Sequence, residues 1–391
     1  MKTPNDVPIR IALAGMGKMG LSHQAILNAH PALKLVAVCD PAKYLRDIVA
    51  KYTGIETYGD YLRMLDTEQP DAILIATPSK LHTAMTRAAL ERNIDVFCEK
   101  PFCLDIAEGA RLVELAEQRG VVTQVGYHNR FVATFEETRR LLEAGAIGQV
   151  YHAQVECYGP VMIRQKGSTW RTSKTEGGGC LYDYACHGID LLGYLIGPPE
   201  SVSGSVLRSV FSSAIDDEVY SNLSYADGKT AQISANWSDE SYRKMSTVVT
   251  LWGLNGKIEA SRQELNVYLR SPCDQAPELS EGWNKRYTTE LTKPVWFYLR
   301  GEEYSAQIAY FVESIQQRRL HTHCDFRSGL ETDVVAEMIR VDAARIAPAH
   351  AQPASNTAAA GLEGHWGRSW KGIGESILKS PKAIANVLRG G

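Results

Sequence analysis

The sequence predicts an α/β fold. A doubly wound parallel sheet forms the N-terminal half, and an α+β domain with a large, mostly antiparallel open sheet follows it. In the first half, short apolar runs alternate with helical patterns, which is the order of parallel strands joined by crossover helices. After about residue 150 the pattern changes to the two-residue alternation of strands with one buried face. A chain of 391 residues is long enough for two domains or more.

Short apolar runs mark the strands of the first half. They are rich in β-branched residues and apolar on both faces, as strands inside a parallel sheet are. The runs lie at residues 9–15, 34–40, 71–76, 94–99 and 121–126. Helical patterns separate them at residues 18–29, 43–53, 81–92 and 105–119.

A glycine-rich motif, "GMGKMG", lies between the first strand and the first helix. Gly15 permits a tight turn, Gly17 lets a pyrophosphate approach the backbone, and Gly20 lets the helix pack close to the strand. Lys18 and Met19 lie at the start of the helix, where free N–H groups and a partial positive charge bind phosphates. A purely structural turn is the alternative, but this context favours a Rossmann-type dinucleotide-binding domain.

An acidic residue, Asp40, ends the second strand, at the spacing of about 20 residues that such a fingerprint requires. A carboxylate here accepts a hydrogen bond from the ribose 2′-hydroxyl and repels a 2′-phosphate. The sequence therefore predicts NAD as the cofactor in preference to NADP.

Two further strand ends carry candidate cofactor residues, because ligands of such sheets bind at the carboxyl ends of the strands. The third strand ends in "ATPSKLH", with Thr77, Pro78 and His82. The fourth ends in "CEKPF", with Glu99 and Lys100. Lys100 is well placed to meet the nicotinamide end of a cofactor, and a surface lysine in a turn fits the spacing equally well.

A polar stripe interrupts the apolar segment "GGGCLYDYACHGIDLL". Asp183, His187 and Asp190 follow one another at steps of four and three, which place them on one face of a helix over residues 177–196. Burying these groups is costly unless they are paired or face a cleft. The stripe is therefore a candidate for a catalytic surface.

These motifs together resemble the Gfo/Idh/MocA oxidoreductase family, named for glucose-fructose oxidoreductase and inositol dehydrogenase. The resemblance covers roughly residues 8–347 and is specific for the family but not for a substrate. It is carried, in this order, by "AGMGKMG", "CDP", "ATPSKLH", "EKP", "GYHNRF", "GGGCLYDYACHGIDLL" and "SGLETDVVAEMI".

The resemblance implies roles for residues at the matching positions. Lys100 would contact both cofactor and substrate, and His187 would be the general acid/base. Asp183 would orient His187 and stabilise its imidazolium, as carboxylates do in hydrolase triads. Asn129 and Arg130 would lie near the floor of the active site. Asp190 would be a structural or orienting partner. The family's loop along the cofactor matches Thr77, Pro78 and His82.

The second half predicts hairpins at "ADGK" and "LNGK", because Asp-Gly and Asn-Gly favour tight turns between strands. One face of this sheet should cover the helix over residues 177–196, which leaves the other face for a second subunit. The family usually pairs such sheets, so the resemblance implies a homodimer or a homotetramer.

A polar loop before the stripe offers substrate contacts. Arg171 could bind a carboxylate or a phosphate, and Trp170 could stack on a sugar or a base. Tyr127 and Arg130 extend this possible pocket. Polar and aromatic groups together suggest a polyhydroxylated substrate, although a surface loop anchored by one tryptophan is an equal alternative.

The expected organisation has a Rossmann domain at residues 1–126 and a substrate and oligomerisation domain at residues 127–347. A linker (348–364) and a basic amphipathic tail (365–391) follow. The tail suits a weak contact with a membrane surface, but an arm packed on this or a neighbouring subunit is favoured. "HTHC" (321–324) lacks the second half of a zinc pattern, so a short strand and turn are expected there and no metal.

The sequence thus predicts an NAD-dependent oxidoreductase acting on a secondary alcohol or ketone of a sugar, a cyclitol or a nucleotide-linked sugar. An NAD-dependent glycoside hydrolase, which oxidises its substrate transiently, and a non-catalytic NAD-binding regulator are the alternatives. A net charge of −3 offers no basic excess for nucleic acid. The scattered cysteines and the absence of a signal-peptide core favour a cytoplasmic protein.

Overall fold

The computed structural model describes residues 7–164 and 170–346. Its strands are β1 Ile9–Ala14, β2 Leu33–Cys39, β3 Glu56–Tyr58, β4 Ala72–Ile75, β5 Asp95–Cys98, β6 Thr123–Val125, β7 Val150–Tyr158, β8 Ser201–Arg208, β9 Glu218–Ser224, β10 Thr230–Asn236, β11 Ser246–Gly253, β12 Gly256–Ser261, β13 Glu264–Leu269 and β14 Gly282–Tyr287. Its helices are α1 Lys18–Ala29, α2 Lys43–Thr53, α3 Tyr61–Glu68, α4 His82–Leu90, α5 Ile106–Arg119, α6 Ala133–Glu143, α7 Val161–Arg164, α8 Cys186–Ile196, α9 Thr288–Leu291, α10 Glu302–Gln316 and α11 Phe326–Ile346.

The first sheet has six strands in the order β3-β2-β1-β4-β5-β6. β1 lies between β2 and β4 and pairs in parallel with both. Its last four residues are buried, and so is the whole of β4, as the continuous apolar runs predict. The predicted doubly wound sheet is confirmed.

By its own contacts the chain forms two compact units, one that ends at Thr77 and one that begins at Pro78. The predicted boundary between residues 126 and 127 remains a prediction. The predicted linker and tail, residues 348–391, lie outside the described residues.

The second sheet has eight strands in the order β14-β13-β12-β11-β7-β10-β9-β8. β7 pairs with β10 in parallel, whereas the other neighbours are antiparallel. Hairpins join β9 to β10 and β11 to β12 at the predicted Asp-Gly and Asn-Gly turns. Residues of β11 alternate between buried and half-buried positions, so one face of the sheet contributes to the core.

Helix α8 packs directly on that inner face. A Cβ added at Gly188 would come within 3.1 Å of the Val155 side chain on β7, so the glycine permits this close approach. α11 packs beside α8. The predicted helix over residues 177–196 is corrected in its first part, where Leu181–Ala185 form a single π turn before α8 begins.

The segment "HTHC" differs from the expectation from the sequence. Residues 321–325 form a turn that leads into α11, so the short strand expected at "HTHC" is wrong. His323 accepts or donates a hydrogen bond of 2.9 Å with the Tyr310 hydroxyl.

All eight cysteines are free thiols, and only Cys273 is not buried. In the part of the chain that the structure describes, no helix is long and apolar enough to cross a membrane.

Candidate active site

The glycine-rich loop has the geometry of a phosphate-binding turn. Gly15 has φ +93°, and a Cβ there would lie 2.5 Å from the Ala76 carbonyl oxygen. A Cβ at Gly20 would lie 1.9 Å from the Gly15 oxygen. A Cβ at Gly17 would meet nothing within 4 Å, so the backbone at the start of α1 is open to a ligand. Lys18 is exposed there and Met19 is half-buried.

Asp40 supports this loop through its carboxylate. One of its carboxylate oxygens accepts a hydrogen bond of 2.7 Å from the Met16 backbone N–H, inside the glycine motif. The other accepts one of 2.8 Å from the Ala42 N–H. The sequence predicted a ligand contact alone, and the structure adds this scaffolding role.

The predicted cofactor residues after β4 occupy different environments. Thr77 is the last residue of the first unit, and Pro78 precedes a 3-10 turn, Ser79–Leu81, in the second. His82 is buried, and its Nδ1 lies 2.8 Å from the Pro101 carbonyl oxygen. His82 therefore holds the loop that carries Lys100.

Lys100 is anchored by the π turn. Its Nζ donates to the backbone oxygen of Asp183 at 2.9 Å and to the carboxylate Oδ1 at 3.0 Å. Arg171 donates from Nε to the other carboxylate oxygen of Asp183 at 2.9 Å. Single π turns often occur at functional sites. Here the turn lets a backbone carbonyl and a side chain of one residue bind the same ammonium group.

The pKa directions follow from these contacts. Burial opposes ionisation of Asp183, but the charges of Lys100 and Arg171 outweigh it and lower the pKa of the carboxyl group. Burial opposes the charge of Lys100 too, but Asp183 outweighs it and raises the pKa of the ammonium group. Both groups are therefore ionised at neutral pH.

His187 is buried next to these charges, but it is not hydrogen-bonded to them. Among the described residues, its Nδ1 is sealed from solvent without a partner. Burial, and then the charges of Lys100 and Arg262, hold its pKa well below the ordinary value of 6.5. The predicted hydrogen bond from His187 to Asp183 is not observed between these two described side chains, and the two carboxylate oxygens of Asp183 bind Lys100 and Arg171.

Aromatic rings surround His187. The ring of Tyr127 stands edge-on to it at 6.0 Å between centroids, and the ring of His128 does so at 4.9 Å. Tyr127 is 1% exposed, and burial raises the pKa of its hydroxyl well above the ordinary value. Tyr127 therefore forms a wall beside the imidazole.

Arg130 lines a cavity together with Arg139 and His323, and its guanidinium group is bound to Asp190. Its Nε and Nη2 donate to the Asp190 carboxylate at 2.6–3.1 Å, and both side chains are almost completely buried. Thr332 on α11 also donates to Asp190, at 3.3 Å. Asn129 is fully buried, and its side-chain oxygen and nitrogen have no partner among the described residues. The Arg130–Asp190 pair fixes α8 against its neighbours.

Trp170 and Glu99 are two further residues that the sequence predicts for the site. Trp170 begins a 3-10 turn, Trp170–Thr172, and its side chain lies outside the described residues. Glu99 is buried, with a carboxylate oxygen 3.3 Å from the Lys100 backbone N–H.

The structure adds residues that sequence reasoning did not single out. Arg262, after β12, donates from Nη1 to His128 Nε2 at 3.2 Å and from Nη2 to Glu303. Tyr304 of α10 stacks on His128 at 4.8 Å. His128 lies within the motif "GYHNRF", so the sequence offered a signal by which it could have been identified as a site residue. Arg262 and Tyr304 come from distant parts of the chain and carry no local signal.

Comparison with known proteins identifies the class. Residues 9–127 match the model described as "Oxidoreductase family, NAD-binding Rossmann fold", and residues 135–259 match the "GFO/IDH/MocA C-terminal domain". The chain belongs to the Gfo/Idh/MocA oxidoreductase family. The predictions of an enzyme of oxidoreductase type and of NAD as its cofactor are thereby confirmed.

Individual relatives are more distant. The scyllo-inositol 2-dehydrogenase (NAD(+)) of Bacillus subtilis (strain 168) is 29% identical over 235 residues, which are 58% of this chain and 67% of that protein. The structure of levoglucosan dehydrogenase in complex with NADH and levoglucosan has a TM-score of 0.78 at 22% identity, covering 87% of this chain and 98% of that one. The WlbA dehydrogenase from Bordetella pertussis, in complex with NADH and UDP-GlcNAcA, has a TM-score of 0.76 at 22% identity, covering 88% and 98%. At these identities the two structures show a shared fold alone.

Proposed function

We propose that the chain is an NAD-dependent dehydrogenase that acts on a secondary alcohol or ketone of a sugar, a cyclitol or a nucleotide-linked sugar. One observation carries the proposal. The buried imidazole of His187, whose Nδ1 has no hydrogen-bonded partner among the described residues, lies near the Lys100 ammonium group that the Asp183 carboxylate binds. The names of the relatives, an inositol dehydrogenase and sugar dehydrogenases, support this substrate class.

The residues of the first unit fit a dinucleotide. The open backbone at Gly17 and the N-terminus of α1 would hold the pyrophosphate, and Asp40 would bond the ribose. When bound, NAD supplies a nicotinamide ring that accepts or returns the hydride.

His187 would exchange the proton of the reacting hydroxyl. Its Nδ1 is sealed, so Nε2 is the nitrogen that a substrate can approach. Its low pKa keeps the ring neutral at working pH, so it accepts a proton while the hydride leaves carbon.

Lys100 would stabilise the oxygen of the reacting group. Its raised pKa keeps it cationic, so it lowers the energy of a developing alkoxide or polarises a carbonyl. Asp183 is a positioning residue in this scheme, because it binds Lys100 through two oxygens and also binds Arg171. Its charge also offsets the cost of burying the ammonium group.

A substrate survey tests the proposal. The full-length protein would be mixed with NAD and free hexoses, inositols, uronic acids or UDP-linked amino sugars, while NADH absorbance is followed. We expect NADH to accumulate with one class and not in the Lys100→Met variant. The Lys80→Met variant is the control, because this half-exposed lysine pairs with Glu176 on the surface.

Glycoside cleavage without accumulation of NADH would instead support the hydrolase. NADH binding without turnover of any substrate would support the regulator. Either result contradicts the proposed function.

A further inference from the structure

Positive charge predominates around the paired imidazoles of His128 and His187. The nearby cations are Lys100, Arg171, Arg262 and Arg300, and the nearby carboxylates are Asp183, Glu303 and Glu99. Asp183 is shared between two of the cations, Lys100 at 3.0 Å and Arg171 at 2.9 Å. The single negative charge of Asp183 therefore neutralises only one of these two cations. The site retains a net positive charge when both imidazoles are neutral.

Arg300 is the cation whose charge is least neutralised by neighbouring carboxylates. Its guanidinium carbon lies 5.3 Å from the centre of the Tyr304 ring, and Tyr304 in turn stacks on His128. The side chain is exposed and forms no ion pair with any acid in the described ranges. Its backbone has φ +69°, the left-handed region that residues other than glycine rarely adopt. Such conformations concentrate at functional sites.

Arg262 is the arginine in direct contact with one of the imidazoles. It binds His128 Nε2 at 3.2 Å and Glu303 through its other terminal nitrogen. Its side chain remains 24% exposed, so a ligand can reach it. The charges of Arg262 and Arg300 both act on His128 and on the neighbouring Tyr304.

The field at the imidazoles is positive. Burial comes first in lowering the pKa of both His128 and His187, and the charges of Lys100 and Arg262 lower both values further. An imidazolium formed at His187 during alcohol oxidation would therefore lack a counter-charge. A negative charge brought in by the substrate would supply one.

We propose that the substrate carries an anionic group, a carboxylate or a phosphate, which binds Arg262 and Arg300 while a hydroxyl of the same molecule faces His187. This inference rests on the proposed function and narrows its substrate class to acidic sugars, sugar phosphates or nucleotide-linked sugars. Arginine suits both oxyanions, because its planar fork binds two oxygens at once.

Matched probes test the charge alone. D-Glucose, D-glucuronate and D-glucose 6-phosphate differ only at C6, and UDP-glucose places its phosphates at C1. Binding of each probe to the NADH-loaded full-length protein would be followed by NADH fluorescence, and kcat/KM by NADH formation from NAD. We expect an anionic probe to exceed glucose by about tenfold or more in both measurements, and about 0.5 M salt to reduce the difference. The probe with the largest gain over glucose shows whether the anionic group is a carboxylate, a sugar phosphate or the diphosphate of a nucleotide-linked sugar.

Variants locate the subsite. Arg300→Gln should reduce the preference for the anionic probe several-fold, and Arg262→Gln should do the same if loss of the Glu303 pair leaves the protein folded. Arg270→Gln is the matched control, since this exposed arginine follows β13 at its far end. The anionic probe should also move the acid limb of kcat against pH to a higher pH than glucose does, because its charge stabilises the imidazolium of His187.

The two proposals fail in different ways. Glucose binding as tightly as every anionic probe contradicts this inference, as does an undiminished preference in Arg300→Gln. Failure of every probe and of every substrate in the survey to yield NADH, with the preference in binding intact, contradicts the proposed function and leaves the anionic subsite supported.

Discussion

The Arg130–Asp190 pair should be essential for stability and dispensable for chemistry. Asp190 is completely buried and Arg130 is 5% exposed by side chain, so removal of either partner leaves an uncompensated charge in the core. Such a loss costs about 3–5 kcal/mol. For a chain of 391 residues that lowers Tm by roughly 4–6 °C. The double variant Arg130→Met/Asp190→Leu removes both charges, so it should recover most of the loss.

Thermal unfolding of the two single variants and the double variant gives the coupling energy of the pair. We expect at least about 3 kcal/mol. Arg139→Met is the control, because this arginine is 36% exposed and pairs with Glu143 on the surface. It should cost less than about 1 kcal/mol. A normal Tm in Arg130→Met with loss of substrate binding would refute the reasoning and support Arg130 as a substrate contact.

Three further variants probe charge and pH. Asp183→Asn should lower kcat/KM roughly a hundredfold and move the alkaline limb of the rate profile to lower pH, because the raised pKa of Lys100 is lost; initial rates against pH would show this. Burial raises the pKa of Asp333 from 3.8 to about 7. The folded state therefore holds a proton that the unfolded state releases, and stability falls as pH rises towards neutrality. The free energy of unfolding of the wild type should therefore be lower at about pH 8 than at about pH 5. Asp333→Asn should reduce this difference by up to about 3 kcal/mol, measured by unfolding at the two pH values. Asp40→Asn should raise NADPH affinity relative to NADH about tenfold, seen in fluorescence titrations, since it removes the charge that repels a 2′-phosphate.

Much of the fold was predictable because local signals and tertiary burial agree. α1 and α2 have the predicted bounds, Lys18–Ala29 and Lys43–Thr53. β3 and α3 were missed, since Glu56–Tyr58 is too short and too polar to give a strand pattern. The hairpin turns were predictable because Asn-Gly and Asp-Gly specify the backbone conformation locally.

The structure brings Lys100, Arg171 and Asp183 together, three of the residues that the sequence proposed for the site, but their pairings were not predictable. The steps of four and three from Asp183 to Asp190 assume a regular α-helix, and the π turn at Leu181–Ala185 changes which groups meet. Asp183 consequently binds Lys100 instead of His187. Arg262 reaches the site from a turn more than a hundred residues away, so only the folded structure reveals it.

The central claim is that Lys100 and His187 carry out the chemistry, whereas the affinity for the cofactor depends mainly on the glycine motif and Asp40. NADH titrations and steady-state rates of wild type, Lys100→Met and His187→Asn would test it most directly, with the substrate found in the survey. The account predicts a loss of kcat/KM of about 10²–10⁴-fold in each variant, with the NADH Kd within about threefold of wild type. A His187→Asn variant that keeps the wild-type rate, or a loss of rate matched by an equal loss of NADH affinity, would contradict it.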